Sequence, residues 1–105
     1  MLELGAQPTL ADFQRYVVEL EDERGFSEQD VVQKCLMLGE EVGELFKVVR
    51  KHTKIKVDPN SSVGEAGEEL ADIFIFLCAI ATRLNVDLEQ AFREKEEQNK
   101  TRGWT

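Results

Sequence analysis

Carboxylates recur at a three-residue spacing in two segments of this sequence, as Glu41 with Glu44 and as Glu69 with Asp72. Residues at i and i+3 share one face of a helix, so each segment would present a pair of acids. Like charges this close repel, most strongly where a helix is half buried, and they call for a positive group between them. Oxygen ligands suit a hard cation. We therefore predict a Mg²⁺ site, with Mn²⁺ as a substitute, rather than a zinc site.

Four helical segments would position these acids. Hydrophobic periodicity and capping residues predict helices over about 10–24, 28–52, 63–84 and 88–101, and no alternating strand pattern occurs. Thr9, Ser27, Ser62 and Asp87 are the predicted N-caps. Short links between four helices predict an all-α, four-helix bundle-like fold that forms one domain over residues 1–105.

Two apolar stripes should face the core. They are Val31, Cys35, Leu38, Val42, Leu45 and Val49 on the second helix, and Ala66, Leu70, Ile73, Leu77, Ile80 and Leu84 on the third. Measured from Val42, Glu41 lies at about −100° around the helix, on a second, mixed face whose edge also carries Lys34. On the third helix the acids run directly into the buried stripe. Cys35 and Cys78 are interpreted as small buried residues of a reduced protein.

The third helix is apolar on every face between residues 73 and 81. Such a helix must be surrounded, either by its own bundle or by a second subunit. The fourth helix begins with apolar residues and ends in polar ones: Lys95, Asn99, Arg102 and then Trp104. These residues are either ordinary helix-end residues or hydrogen-bond donors for phosphate groups and the edge of a nucleobase.

Composition narrows the range of partners. The chain has 105 residues, 21 acidic against 13 basic, and a net charge of −8. This charge argues against a polymeric nucleic acid partner, but metal ions would still allow a small phosphorylated ligand to bind. No apolar run approaches the roughly 20 residues of a membrane span, and no basic leader precedes an apolar run. We expect a cytoplasmic protein with no membrane partner.

The ordered motifs resemble the MazG-like family of all-α nucleoside triphosphate pyrophosphohydrolases, which includes the helical dCTP pyrophosphatases. Residues 39–45, GEEVGEL, read like the first family motif, and residues 68–73, EELADI, read like the second. Residues 85–88, NVDL, lead to a polar end that resembles the family's C-terminal segment. The resemblance covers about residues 10–104.

The resemblance implies a reaction and a set of roles. Family members hydrolyse a nucleoside triphosphate to the monophosphate and pyrophosphate, often to clean the nucleotide pool, and commonly form homodimers or homotetramers. The implied Mg²⁺ ligands are Glu41, Glu44, Glu69 and Asp72, and the implied catalytic residues are Glu40 and Glu41. The resemblance implies that Lys95 and Asn99 contact the nucleotide, and we predict Lys34, Arg102 and Trp104 as further substrate-binding residues.

Two alternatives stay open at this point. Phosphoribosyl-ATP pyrophosphohydrolases are related helical enzymes that would use the same chemistry on another substrate. A non-catalytic helical interaction module would carry the same acids only as a solvated, solubilising surface.

Overall fold

The computed structural model describes residues 2–53, 59 and 64–103. Within these residues the chain forms α1 (Leu10–Arg24), α2 (Val31–His52), α3 (Ala66–Arg83) and α4 (Leu88–Lys100), without a β-strand. The most extensive packing is between α2 and α3, while α1 packs on α3 and α4 packs mainly on α1. The predicted all-α class is confirmed, and α3 is the element on which α1 and α2 both rest.

Helix α1 begins and ends as its sequence predicts. The Thr9 side chain accepts a hydrogen bond from the Asp12 backbone N–H, and the Asp12 carboxylate accepts one from the Thr9 N–H. At the other end Gly25 adopts a φ of 79°, a left-handed conformation that costs glycine little.

Helix α2 begins later than predicted, because Asp30 and not Ser27 is its N-cap. The Asp30 carboxylate accepts a hydrogen bond from the Gln33 N–H at 2.8 Å, and the Gln33 side-chain oxygen accepts one from the Asp30 N–H. The Ser27 hydroxyl instead donates to the Asp22 carboxylate. The prediction of Ser27 as the N-cap was wrong, because Asp30 makes the capping hydrogen bonds of α2.

The ends of the last two helices are partly as predicted. Asp87 caps α4 by accepting a hydrogen bond from the Gln90 N–H at 3.1 Å. Ser62 lies outside the described residues. Glu65 occupies the N-cap position of α3 without a capping hydrogen bond from its side chain. The turn before α4 is made by Asn85, which has a φ of 57°.

The core is formed where α1 meets α3. Val17 and Leu20 of α1 are buried against Cys78 and Ala79 of α3. The rings of Phe13 and Phe74 meet edge to face at 5.4 Å beside this cluster, extending the same contact.

The predicted stripes of α2 and α3 are not the most buried faces. On α2 the buried residues are Lys34 and Val48, whereas Cys35 and Val49 are exposed. Several leucines predicted to lie in the core of α3 are also exposed: Leu70, Leu77 and Leu84. Both helices are apolar on more than one face, and only one face of each can meet the other within this chain. The buried thiol prediction therefore holds for Cys78 and is wrong for Cys35.

None of the helices within the described residues is long and apolar enough to cross a membrane.

Candidate metal centre

Three carboxylates converge where α2 packs along α3. Oxygen atoms of Glu41, Glu69 and Asp72 lie within 4.8 Å of one another. Glu41 is seven residues from both Lys34 and Val48, the two buried residues of α2, so it lies on the helix face that meets α3. Glu69 comes from the first turn of α3 and Asp72 from the next turn. The packing of two helices thus brings together acids that are far apart in sequence.

The proximity of these acids changes the ionisation of Glu41. A hydrogen bond with Glu69 raises the pKa of Glu41 to about 7, with further contributions from partial burial and from the negative charges of Glu69, Asp72 and Glu44. A carboxylate normally loses its proton near pH 4.5. Near neutral pH Glu41 is therefore partly protonated, and a bound cation would displace that proton.

Glu69 is the most enclosed member of the cluster. Its side chain is only 9% exposed, and within the described residues its Oε2 atom is buried without a hydrogen-bond partner. The neighbouring Gly64 leaves the space for this carboxylate, because a Cβ at that position would lie 2.5 Å from Oε1 of Glu69. A buried carboxylate oxygen without a partner is costly, and a bound cation would satisfy it. The residues present therefore fit a hard divalent cation.

The other two predicted acids of α2 lie outside this cluster. The Glu44 carboxylate lies 3.6 Å from the Lys47 ammonium on the same helix, and both side chains are over 40% exposed. Glu44 is nevertheless near enough to contribute to the raised pKa of Glu41. Glu40 is exposed. Metal binding by Glu44 and a catalytic role for Glu40 stay predictions.

Lys34 is buried next to the candidate centre. Its side chain is 3% exposed, and its ammonium lies 3.0 Å from the Glu21 carboxylate of α1. Arg83 of α3 donates to both oxygens of Glu21, at 2.8 and 2.9 Å. The sequence pattern placed Lys34 on the edge of the acidic face, and the structure adds the partners that fix its position.

A cavity of about 170 Å³ adjoins the carboxylate cluster. Asp72 and Lys34 both line it, together with two aromatic side chains, Phe26 and Phe76. The remaining lining residues are Leu20, Glu21, Arg24, Met37, Ile75 and Ala79. An apolar cavity with a few converging polar groups is the usual form of a small-molecule site.

The polar end of α4 is not part of this cluster. Lys95 is exposed and Asn99 is partly buried on α4, while Arg102 follows the helix. Helix α4 packs mainly on α1, whereas the three carboxylates belong to α2 and α3. Trp104 lies outside the described residues. Nucleotide binding by these four residues stays a prediction.

Sequence reasoning missed Glu21, Arg83 and Phe26. A signal for Glu21 was available, because it follows Val17 by four residues and so continues the buried stripe of α1. A charged residue in such a stripe requires a partner. Phe26 lies in the link after α1, where no periodicity predicts its direction.

Comparison with known proteins gives several related sequences and no matching protein-family profile. The dCTP pyrophosphatase 1 of Mus musculus is 33% identical over 101 residues, which is 91% of this chain and 59% of that protein. The Homo sapiens protein of the same name is 35% identical over 101 residues, again 91% of this chain and 59% of the relative. The Bos taurus protein is 35% identical over 102 residues, covering 92% and 60%. The chain thus spans about three fifths of the length of the curated relatives it matches.

Proposed function

We propose that the chain is a MazG-like all-α nucleotide pyrophosphohydrolase and that it hydrolyses a nucleoside triphosphate to the monophosphate and pyrophosphate, which its similarity to the dCTP pyrophosphatase 1 proteins supports. The structural observation that supports this function is the cluster of Glu41, Glu69 and Asp72 beside a cavity that Asp72 also lines. The proposed metal centre and the cavity therefore share Asp72. A role in clearing unwanted nucleotides from the cytoplasmic pool is part of the same proposal.

Glu41, Glu69 and Asp72 would hold Mg²⁺, with Mn²⁺ as a substitute and Glu44 as a further ligand from the exposed side. When bound, the cation would supply positive charge to the polyphosphate and make a nearby water more acidic. The unpartnered Oε2 of Glu69 supports this assignment, because a cation would satisfy an oxygen that is otherwise buried at a cost.

The carboxylates themselves would carry out the proton transfer in this reaction. In the metal-free cluster a hydrogen bond with Glu69 raises the pKa of Glu41 to about 7, and a bound cation would displace that proton, so Glu41 would be ionised as a ligand while a free carboxylate takes the proton of the attacking water. Glu40 is the adjacent exposed acid and would help to orient the attacking water. The water oxygen would form a bond to phosphorus as the bond to pyrophosphate breaks, and positive charge held by the carboxylates would stabilise the leaving group.

Substrate binding would divide between two regions. The cavity beside Asp72, with Lys34 and its aromatic lining, is suited to the nucleobase. Lys95, Asn99, Arg102 and Trp104 would supply phosphate donors and a stacking surface. Because α4 packs mainly on α1, this role would fit a site completed by a second copy of the chain.

Association with further copies is supported by the apolar residues that this chain leaves exposed. Leu36 of α2 is 67% exposed, Phe92 of α4 is 67% exposed, and Leu70 of α3 is 54% exposed. The radius of gyration is 16.5 Å, whereas a compact domain of this length would have one of about 13 Å. We propose a homodimer or homotetramer in which the exposed faces of α2 and α3 are covered. No polymeric nucleic acid or membrane partner is part of this proposal.

The function is tested by measuring pyrophosphate release from a panel of ribo- and deoxynucleoside triphosphates, with Mg²⁺ and with EDTA. We expect metal-dependent release that Glu41→Gln and Glu69→Gln abolish, while Glu23→Gln, an exposed acid of α1, has no effect. Phosphoribosyl-ATP belongs in the panel, because release from it alone would change the substrate and keep the chemistry. A folded protein that neither binds Mg²⁺ nor releases pyrophosphate would refute the proposal in favour of an interaction module.

A further inference from the structure

Arg83, the last residue of α3, gives all five of its N–H donors to oxygen atoms of this chain. Two go to the carboxylate of Glu21, at 2.8 and 2.9 Å, and one goes to the carbonyl of Ala79 at 3.1 Å. The other two go to the backbone carbonyls of Gln29, at 2.7 Å, and Phe26, at 3.1 Å. Apolar residues often replace a buried ion pair without loss of stability. The two bonds to backbone carbonyls therefore call for an explanation of their own.

These two carbonyls belong to the link between α1 and α2, residues 25–30. The Phe26 N–H donates to the Glu21 carbonyl at 2.8 Å, and the Gln29 N–H donates to the Phe26 carbonyl at 3.1 Å. The link forms neither a helix nor a strand, so individual hydrogen bonds decide its shape. Arg83, whose side chain is 14% exposed, lies 54 and 57 residues further along the chain than the carbonyls it binds. It thus ties the link to α3.

The link also carries one wall of the cavity beside the candidate metal centre. The Phe26 ring lines this cavity together with Lys34 and Phe76. The Lys34 ammonium lies 5.2 Å from the centroid of the Phe26 ring. Phe26 is nevertheless 41% exposed, so close packing in the core does not fix its position. Its place at the cavity depends on the backbone of the link, which Arg83 holds.

We propose that Arg83 is a positioning residue for substrate binding, because it fixes the link to α3 and so keeps the Phe26 ring at the wall of the cavity. This inference rests on the proposed function and adds a residue that determines how the substrate cavity is formed. A phenyl ring offers its face to any nucleobase, and such stacking tolerates different bases. Arg83 would therefore set the affinity for the substrate without selecting its base.

The metal centre should be affected much less than substrate binding. Arg83 follows Asp72 by eleven residues, which is about three turns of α3. The five donors of Arg83 are all engaged elsewhere. Lysine at this position would keep a positive charge beside Glu21, but its three donors cannot replace five bonds made by a planar fork. Arg83→Lys should therefore loosen the link and leave the metal-binding carboxylates in place.

The test measures kcat and KM for dCTP, the affinity for Mg²⁺ and the hydrogen exchange of residues 25–30, in the native protein and in Arg83→Lys. We expect KM to rise about tenfold, as for the loss of one stacking contact with a base, with much smaller changes in kcat and in the affinity for Mg²⁺. Exchange of the backbone N–H groups in the link should become faster. Thr9→Ala removes the N-cap of α1 and is the matched control for lost stability. It should leave KM unchanged.

A double-mutant cycle shows whether Arg83 acts through Phe26. Phe26→Leu alone should raise KM by a similar factor. Adding Arg83→Lys should then raise KM little further, because the ring that Arg83 positions is already absent. Additive effects of the two substitutions on KM would overturn the proposal, and so would an unchanged rate of hydrogen exchange in the link of Arg83→Lys.

The outcomes separate this inference from the function on which it rests. Hydrolysis of dCTP with the same KM in the native protein and in Arg83→Lys would overturn the inference and keep the enzyme. If dCTP is not hydrolysed, the dissociation constant of dCMP replaces KM. Equal dissociation constants, or no binding to the native protein, would then overturn the inference. If Arg83→Lys does not fold, Gly25→Ala displaces the link directly, because alanine is strained at the φ of 79° that Gly25 adopts. An unchanged KM in that variant would also overturn the inference.

Discussion

Replacing Glu41 by glutamine should have opposite effects on stability with and without Mg²⁺. In the metal-free protein Glu41 shares a narrow space with Glu69 and Asp72, and the substitution removes one of the like charges. With Mg²⁺ present, the same substitution would remove one of the proposed ligands. Substitution of an acid on a solvated surface would produce neither effect. An effect on the free energy of unfolding that changes sign when Mg²⁺ is added would therefore identify a metal site.

The size of the metal-free effect follows from the raised pKa of Glu41. Its hydrogen bond with Glu69 raises the pKa from 4.5 to about 7, so between these values the folded protein binds more protons than the unfolded chain. The free energy of unfolding must therefore fall as the pH rises through this window. At about 1.4 kcal/mol for each unit of pKa the upper limit is about 3.4 kcal/mol. Solvent screening of a partly exposed group reduces our expectation to about 1–2 kcal/mol.

The assay is chemical denaturation of the native protein and Glu41→Gln, in EDTA, at about pH 5 and about pH 8. We expect the variant to be more stable by about 1–2 kcal/mol at pH 8 and to differ little at pH 5, where the native Glu41 is mostly protonated. In Mg²⁺ at about 100 times the dissociation constant, the native protein should gain about 2.7 kcal/mol, most of which the variant should lose. Glu23→Gln is the exposed control.

Two results would refute this reasoning. If Glu41→Gln destabilised the metal-free protein at pH 8, the three carboxylates would not repel one another as their spacing requires. If the variant gained as much from Mg²⁺ as the native protein, Glu41 would not be a ligand and the centre would have to be placed elsewhere.

Three further predictions test the surroundings of the site and the fold. Gly64→Ala should weaken Mg²⁺ binding by about tenfold in a calorimetric titration. The new Cβ would lie 2.5 Å from an oxygen of Glu69 and would displace that carboxylate. An unchanged affinity for Mg²⁺ would contradict this prediction. The affinity for Mg²⁺ should increase from about pH 6 to about pH 8, and binding should release a proton. The reason is that binding requires the ionised form of Glu41, whose pKa is about 7. Calorimetry in two buffers with different ionisation enthalpies measures the proton release. Asp30→Ala should lower the free energy of unfolding by about 1 kcal/mol in urea denaturation, and Ser27→Ala by less, because Asp30 is the N-cap of α2; the reverse order would restore Ser27 as the cap.

Much of the fold could be predicted from the sequence, because local signals are strong in helices. The capping box of Thr9 with Asp12, the glycine at the end of α1 and the aspartate before α4 each act over a few residues. Where two capping residues stood close together, as Ser27 and Asp30 do, the pattern could not rank them. The position of a helix start then depends on which hydrogen bonds the folded chain completes.

The site was predictable in part for the same reason. The i, i+3 spacing marked Glu41, Glu69 and Asp72 as chemically unusual, and the structure brings an oxygen of each together. The same spacing marked Glu44, whose carboxylate contacts Lys47 instead. The spacing predicts which residues share a face of one helix. It does not predict which half of that face contacts the neighbouring helix.

The sequence by itself was sufficient for the helices, their approximate ends and the two acidic segments, since these depend on contacts between residues a few positions apart. Which face of α2 meets α3 depends on how α2 is rotated about its own axis. The packing of the side chains of both helices decides that rotation. That packing turned Lys34 and Glu41 inward and left Cys35 and Val49 exposed. It also brought Glu21, Lys34 and Arg83 from three helices to one point. The buried stripe of α1 marks Glu21 as an enclosed acid, but its partners lie on two other helices and are decided only when the chain has folded.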